Sequence, residues 1–233
     1  MRYPGAEWKP ISVNYRSGGC NPRFIVLHIM QGTLAGTDSW FRNPAAQVSA
    51  HFGVGKSGTV YQWVDTNDTA WHAAAANDRA IGIEHEGQPG DSLTPEQIAA
   101  DAKLCAWAHK AHGIPLVSAV HPGDPGLAWH GLGQVAWGNH PDCPGQHIVA
   151  QRPVILAAAE ASVTIGSIKA DGKTSLAQLA AEHQTGASTV LRLTAEHGKY
   201  SAPVAQYLDA VFKGSLPPSA PIPAGALLWV PVS

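Results

Sequence analysis

Four residues able to build a metal site are scattered along this 233-residue chain. His28 closes the apolar run Phe24-Ile25-Val26-Leu27, and Glu84 closes Ile81-Gly82-Ile83. His130 follows Trp129, and Cys143 stands in Asp142-Cys143-Pro144-Gly145. Two imidazoles, a thiolate and an unattached carboxylate are the parts of a hydrolytic zinc site. Three of them hold the ion, its fourth position is left to water, and the carboxylate takes a proton. Each also has a plainer reading. Cys-Pro-Gly can be a turn beside a buried thiol, and a glutamate ending a short strand can simply face solvent. Histidine itself is ambiguous here, because His140 lies three positions before Cys143 whereas His130 lies thirteen before it.

Such residues need elements to converge them. The run ending at His28 reads as a buried strand. Val48 to Val54 and Thr59 to Val64 flank Gly55-Lys56-Ser57-Gly58 and read as a hairpin. Ala80 to Glu84 is a further short strand, whose alternation puts Glu84 and Glu86 on one face and His85 on the other. Thr94-Pro95-Glu96-Gln97 opens a helix with an N-cap threonine, a first-turn proline and a capping-box glutamine. That helix shows Ile98, Ala102, Cys105 and Ala108 on one face and stops near Gly113, which makes Cys105 a small core residue. Residues 121–147 read as a long irregular segment, of the kind a compact domain keeps for a purpose such as holding a metal. An alanine-rich helix follows over about 148–161.

After residue 162 the character changes. A short amphipathic helix begins at Ser175-Leu176-Ala177-Gln178-Leu179-Ala180, a second near Ser188, and Leu227-Leu228-Trp229-Val230 is a final strand. Two domains are expected, 1–161 and 162–233, with no flexible linker between them.

Composition sets limits. A charged fraction of 14% against 45% hydrophobic describes a compact globular protein, and a net charge of −2 gives no basic footprint for nucleic acid. No apolar run reaches the roughly 18 residues of a membrane span, so no membrane insertion is expected. Met1-Arg2-Tyr3-Pro4-Gly5 does not read as a secretory signal. Three cysteines are too few for a disulfide framework. Ten of twelve histidines and seven of eight tryptophans precede residue 150, which places any imidazole site and its flat apolar surfaces in the first domain.

Residues 20–160 resemble the zinc-dependent N-acetylmuramoyl-L-alanine amidases of the peptidoglycan-recognition-protein and T7-lysozyme type. The motifs are Phe24 to His28, Val48-Ser49-Ala50-His51-Phe52, Gly58-Thr59-Val60-Tyr61-Gln62, Trp71-His72-Ala73, Ile81-Gly82-Ile83-Glu84 and Asp142-Cys143-Pro144-Gly145. Each is weak alone, and they occur in the family's order. The resemblance implies an α/β fold with a mixed central sheet flanked by helices. It makes His28 the first zinc ligand and Cys143 the third. His130 is preferred to His140 as the second, an inserted segment at 134–139 accounting for its long interval. Ala50 stands where one subgroup has a tyrosine, so Glu84 is the implied general base. Pro141 replaces the usual oxyanion-stabilising lysine or threonine, leaving His140 as the nearest donor. Trp71 and His72 are expected along the substrate groove, and His51 in a buried hydrogen bond.

The C-terminal part resembles a degenerate LysM module, a small β-α-α-β fold that binds glycans. Its usual Gly-Asp-Thr-Leu is altered to Gly172-Lys173-Thr174-Ser175-Leu176. An amidase followed by such a module implies a phage endolysin, made in the host cytoplasm and acting on the cell wall, or else exported by a route without a signal. The expected partner is peptidoglycan, and the expected state a monomer.

Three functions compete. The leading one is hydrolysis of the amide between the lactyl group of N-acetylmuramic acid and L-alanine by water activated at zinc. A non-catalytic peptidoglycan binder of the same fold is the alternative, against which Cys143 argues. A glycosidase using Glu84 and Glu86 leaves His28 and Cys143 unexplained, and no Gly-x-Ser-x-Gly elbow supports a serine hydrolase.

Overall fold

A computed structural model describes residues 1–169, 172–182, 206–207, 210–211, 217, 219–223 and 227–232. The chain divides into two compact units, Met1–Trp107 with Ile114–Glu160, and Ala108–Gly113 with Ala161–Ser233.

The first unit is built on a mixed six-stranded sheet. In chain order its strands are β1 (Glu7–Trp8), β3 (Phe24–Ile29), β4 (Phe52–Val54), β5 (Val60–Gln62), β7 (Ala80–His85) and β8 (Gly126–Trp129). Across the sheet the order is β1-β5-β4-β7-β3-β8. Only the β4–β5 hairpin is antiparallel; β3, β7, β8 and β4 run parallel to their other neighbours. A separate antiparallel pair joins β2 (Tyr15–Gly19) to β6 (Asp68–Ala70). All six residues of β3 are buried, as a central parallel strand covered on both faces requires.

Helix α1 (Leu34–Phe41) has no counterpart in the reading of the sequence; Thr33 caps it by accepting from the Gly36 N–H at 3.0 Å. Helix α2 (Pro95–His112) begins with the expected capping box: Gln97 N–H donates to Thr94 Oγ1 at 3.1 Å, and Thr94 N–H to Gln97 Oε1 at 3.0 Å. Cys105 is buried in the core, and burial pushes its thiol well above the usual range. Helix α3 (Gln146–Ser162) buries Ile148, Arg152, Ile155 and Ala159, the stripe of a helix lying on a sheet. Pro153 cannot donate to Val149 C=O, and the Arg152 Nε–H donates to that carbonyl instead at 3.2 Å.

Two expectations fail locally. The first hairpin strand starts at Phe52 instead of Val48, although the His51 N–H still donates to Gly82 C=O. The segment 121–147 is not irregular throughout: Gly126–Trp129 adds to the sheet as an edge strand, and His130–Trp137 forms a 3-10 helix kinked at Gln134. Arg152 secures that short edge. Its guanidinium donates to the carbonyls of Ala119 and Leu127, both at 2.9 Å, and lies over the Trp129 ring at 4.3 Å.

Under the sheet, His85 and Asp101 form an ion pair with both side chains fully buried. His85 Nε2 lies 3.0 and 2.9 Å from the two carboxylate oxygens, and its Nδ1 lies 2.8 Å from His28 C=O. Burial disfavours the imidazolium, but the Asp101 charge and hydrogen bonds outweigh that and raise the His85 pKa. Asp101→Asn leaves the cation without its counter-charge in a dry site. It is expected to destabilise the fold by about 3–5 kcal/mol, read by urea unfolding at pH 6; a loss below about 1 kcal/mol would show that the pair is not ionised.

In the second unit, β9 (Thr164–Lys169) pairs antiparallel with β10 (Leu227–Val232) over six residue pairs. Helix α4 (Leu176–Glu182) opens on another capping box, Ser175 with Gln178. The helix expected near Ser188 lies outside the described residues. Among the described residues, no helix is long and apolar enough to cross a membrane.

Candidate metal centre

The carboxyl ends of parallel strands are where open α/β sheets gather ligands, and here the register delivers the candidates to that end. His28 stands opposite Glu84 across the β3–β7 pair, and Leu27 opposite Trp129 across β3–β8, so His130 emerges beside His28. Cys143 arrives from the loop after the 3-10 helix. Its carbonyl accepts from Gly131 N–H at 2.8 Å. Residue 131 must be glycine for that approach, since a Cβ there would lie 2.3 Å from Pro141 O. The ligand atoms of His28, His130 and Cys143 all lie within 4.8 Å of one another. His140 is exposed, its ring 4.7 Å from that of His130, and it is not part of this cluster.

The histidine tautomers can be derived from fixed acceptors. His130 Nε2 lies 2.7 Å from Trp137 C=O, and a carbonyl can only accept, so the proton is on Nε2. His72 Nε2 lies 3.3 Å from Ala80 C=O by the same logic, which leaves His72 Nδ1 a lone pair. His28 Nε2, 3.1 Å from that Nδ1, therefore carries a proton. The Nδ1 atoms of His28 and His130 are then both lone pairs, facing each other at 3.1 Å. Without a cation that contact is repulsive. With one it is a ligand pair: nitrogens at about 2.0–2.1 Å from a tetrahedral zinc sit roughly 3.3 Å apart.

Electrostatics agree. Burial drives the His28 pKa well below its ordinary value, with the neighbouring histidines adding to it, and burial brings His130 down to about 4. Both are neutral, as ligands must be. Burial pushes the Cys143 thiol up to about 12, reinforced by Glu84 and opposed by a hydrogen bond from the backbone at Ile29. Glu84 Oε2 is buried with no hydrogen-bond partner among the described residues. Burial raises that carboxyl to about 7, the charge of His85 working the other way. A thiol and a carboxyl held near each other against their charged forms fit a site designed around a dication, which would favour both anions.

These residues sit in a region that has known counterparts. The model of the Amidase_2 family, described as N-acetylmuramoyl-L-alanine amidase, matches residues 18–146, more than half of the chain. The chain belongs to that family. N-acetylmuramoyl-L-alanine amidase A of Achromobacter lyticus is 38% identical over 118 residues, 49% of this chain and 67% of the relative. The 1,6-anhydro-N-acetylmuramyl-L-alanine amidase AmpD of Haemophilus influenzae is 41% identical over 59 residues, 22% of this chain and 32% of that one. In fold, the chain is similar to the Staphylococcus aureus hydrolase AmiA (TM-score 0.55, 18% identity, 68% of this chain and 84% of that one). It is also similar to a mutant of PlyL (TM-score 0.53, 13% identity, 70% of this chain and all of that one).

In this Amidase_2 member a cleft of about 260 Å³ opens beside Cys143, lined by Ile29, Gln31, Pro89, His140 and Asp142. Trp71 lines a separate open cleft of about 570 Å³ with Tyr15, Arg16, Thr69, Asn77 and Asp78. His72 has both ring nitrogens within hydrogen-bonding distance of protein groups. His51 is fully buried; its Nδ1 accepts from Gly82 N–H and its Nε2 lies 3.1 Å from Asp68 C=O. Neither Trp137 nor Arg152 stood out among the residues able to do chemistry. Trp137 turns its ring onto Phe24, stacked at 5.4 Å, while its carbonyl orients His130. Only its unusual place within an apparent insertion could have drawn attention to it.

Proposed function

We propose that this amidase hydrolyses the bond between the N-acetylmuramic acid lactyl group and the L-alanine of the stem peptide, with His28, His130 and Cys143 holding zinc. The observation that carries the reading is the opposed pair of Nδ1 lone pairs beside a thiol and an unpartnered carboxyl oxygen. A zinc ion there would supply a Lewis acid for the scissile carbonyl and lower the pKa of water. Glu84 takes the proton of the attacking water as its oxygen adds to the lactyl carbonyl carbon. The same carboxyl then protonates the alanine nitrogen as the C–N bond breaks, leaving a free acid and a free amine. His140, at the edge of the cleft beside Cys143, is the donor we assign to the developing oxyanion. Trp71 and His72 are proposed along the groove, Trp71 through the cleft it lines.

We assign residues 1–161 as the catalytic domain and 162–233 as a LysM-like wall-binding module. The β9–β10 pair and the intervening α4 support this, being elements of a β-α-α-β unit. The order of the two parts supports a lysin. A protein that binds peptidoglycan without cutting it would need neither Cys143 nor an ionisable Glu84, and both are in place.

The test is incubation with purified cell walls. Free amino groups are expected to rise without new reducing ends, and a chelator should stop the release until zinc is restored. New reducing ends in place of amines would replace the amidase reading with a glycosidase one.

A further inference from the structure

The lone pair that each histidine turns toward the metal position is set by a group behind its ring. For His130 that group is a backbone carbonyl. For His28 it is another side chain. We propose that His72 is a positioning residue for the metal centre: it accepts the Nε2 proton of His28 and so keeps the Nδ1 of His28 turned toward His130 and Cys143. This rests on the zinc reading above, and gives His72 a task beyond lining the groove.

Metal-ligating histidines generally donate their second N–H to a carboxylate, a carbonyl or water, which fixes both ring orientation and tautomer. At His28 an imidazole takes that place, its Nδ1 3.1 Å from His28 Nε2 and its own proton directed at Ala80 C=O. The opposite tautomer of His72 would set its Nε2 lone pair against the Ala80 carbonyl oxygen. It would also force the His28 proton onto Nδ1, between the two metal-facing nitrogens. Only the first arrangement satisfies the Ala80 carbonyl and also leaves both metal-facing Nδ1 lone pairs free for an ion.

The surroundings hold His72 for this purpose. The backbone N–H groups of His72 and Ala73 both donate to Asn77 Oδ1, at 3.0 and 2.7 Å, which fixes the loop. The ring lies flat against β7 at Gly82, where a Cβ would come within 2.6 Å of His72 Cγ. The His28 ring meets it edge-on at 5.1 Å, and His51 closes the other side at 5.6 Å. A side chain that merely lined a groove would not need a glycine in the sheet and a two-point clamp on its backbone.

The experiment compares the full chain with His72→Leu and His72→Asn. Asparagine Oδ1 falls near the position of histidine Nδ1 and keeps the acceptor; leucine removes it. Zinc affinity, measured by competition with a chromophoric chelator, is expected to fall about 10–100-fold in His72→Leu and to return most of the way in His72→Asn. The visible spectrum of the cobalt-substituted protein should shift in the leucine variant and revert in the asparagine one. Long-range ¹⁵N correlation of the zinc-loaded wild-type chain, which needs no variant to fold, should show the proton on Nε2 of both His28 and His72. A wild-type chain that takes up no zinc overturns the metal reading and this one with it. Zinc uptake by the wild type with unchanged affinity in His72→Leu, equal impairment in both variants, or an Nδ1–H tautomer of His72 overturns this inference alone.

Discussion

Glu84→Gln is expected to keep its zinc and lose hydrolysis by about 10²–10⁴-fold, the range of a positioned acid–base group. The amide is nearly isosteric with the carboxyl, so the strand register opposite His28 and the ligand cluster are undisturbed. It cannot accept the proton of the attacking water. A second readout separates this role from a structural one. The folded carboxyl titrates at about 7 against an ordinary 4.5, so the metal-free protein binds a proton there more tightly than the unfolded chain does. Stability from this group is fully present below about pH 4.5 and is lost as pH rises through about 7, a difference of about 3 kcal/mol. In chelator, the buried histidines with lowered pKa act in the opposite direction in both proteins, so the readout is the difference: the unfolding free energy of wild type relative to Glu84→Gln should fall by that amount across the window. Hydrolysis retained in a zinc-loaded Glu84→Gln protein would take residue 84 out of the mechanism. A wild-type-minus-variant difference that does not change with pH would mean the carboxyl is better solvated than its unpartnered oxygen implies.

How much of this was visible in the chain itself follows from where each constraint resides. His28 could be singled out because a single strand carries its signal: an apolar run with a polar end is local information. The capping box at Thr94 is local in the same way, and it forms. The choice between His130 and His140 was not local. It depends on the residues after Trp129 coiling into a 3-10 helix whose kink at Gln134 brings Trp137 back over Phe24. Nothing in the spacing of glycines and tryptophans encodes that turn. The edge strand at Gly126 was hidden for a different reason: four residues between a Pro-Gly stretch and a histidine carry too little alternation to declare a strand, and it is Arg152, from a helix later in the chain, that secures it. His72 lay between these cases. Its presence in Trp71-His72-Ala73 was apparent, but its relation to His28 requires Gly82 to lack a side chain, a fact about two elements at once.

Replacing Cys143 is expected to have the other large effect, and its proton balance makes it diagnostic. In the metal-free chain burial, with Glu84 adding to it, holds the thiol at about 12, so at neutral pH it is protonated. Zinc must displace that proton to gain its sulfur ligand, and binding therefore releases it to solvent. Cys143→Ser offers a hydroxyl that does not ionise at neutral pH; zinc affinity should fall by more than the about 10–100-fold typical of losing an outer partner, and hydrolysis with it. Cys143→Asp offers an oxygen anion that zinc accepts, so part of the affinity should return. Its carboxyl has no thiol proton to surrender. Calorimetry in buffers of different ionisation enthalpy should therefore find about one proton fewer released per zinc in Cys143→Asp than in wild type. The comparison is made well above pH 7, where the Glu84 carboxyl, at about 7 in the wild type, has little proton left to contribute. Equal proton release by the two would mean the sulfur never binds the ion, and a Cys143→Ser protein with wild-type zinc affinity would move the centre elsewhere in the cluster.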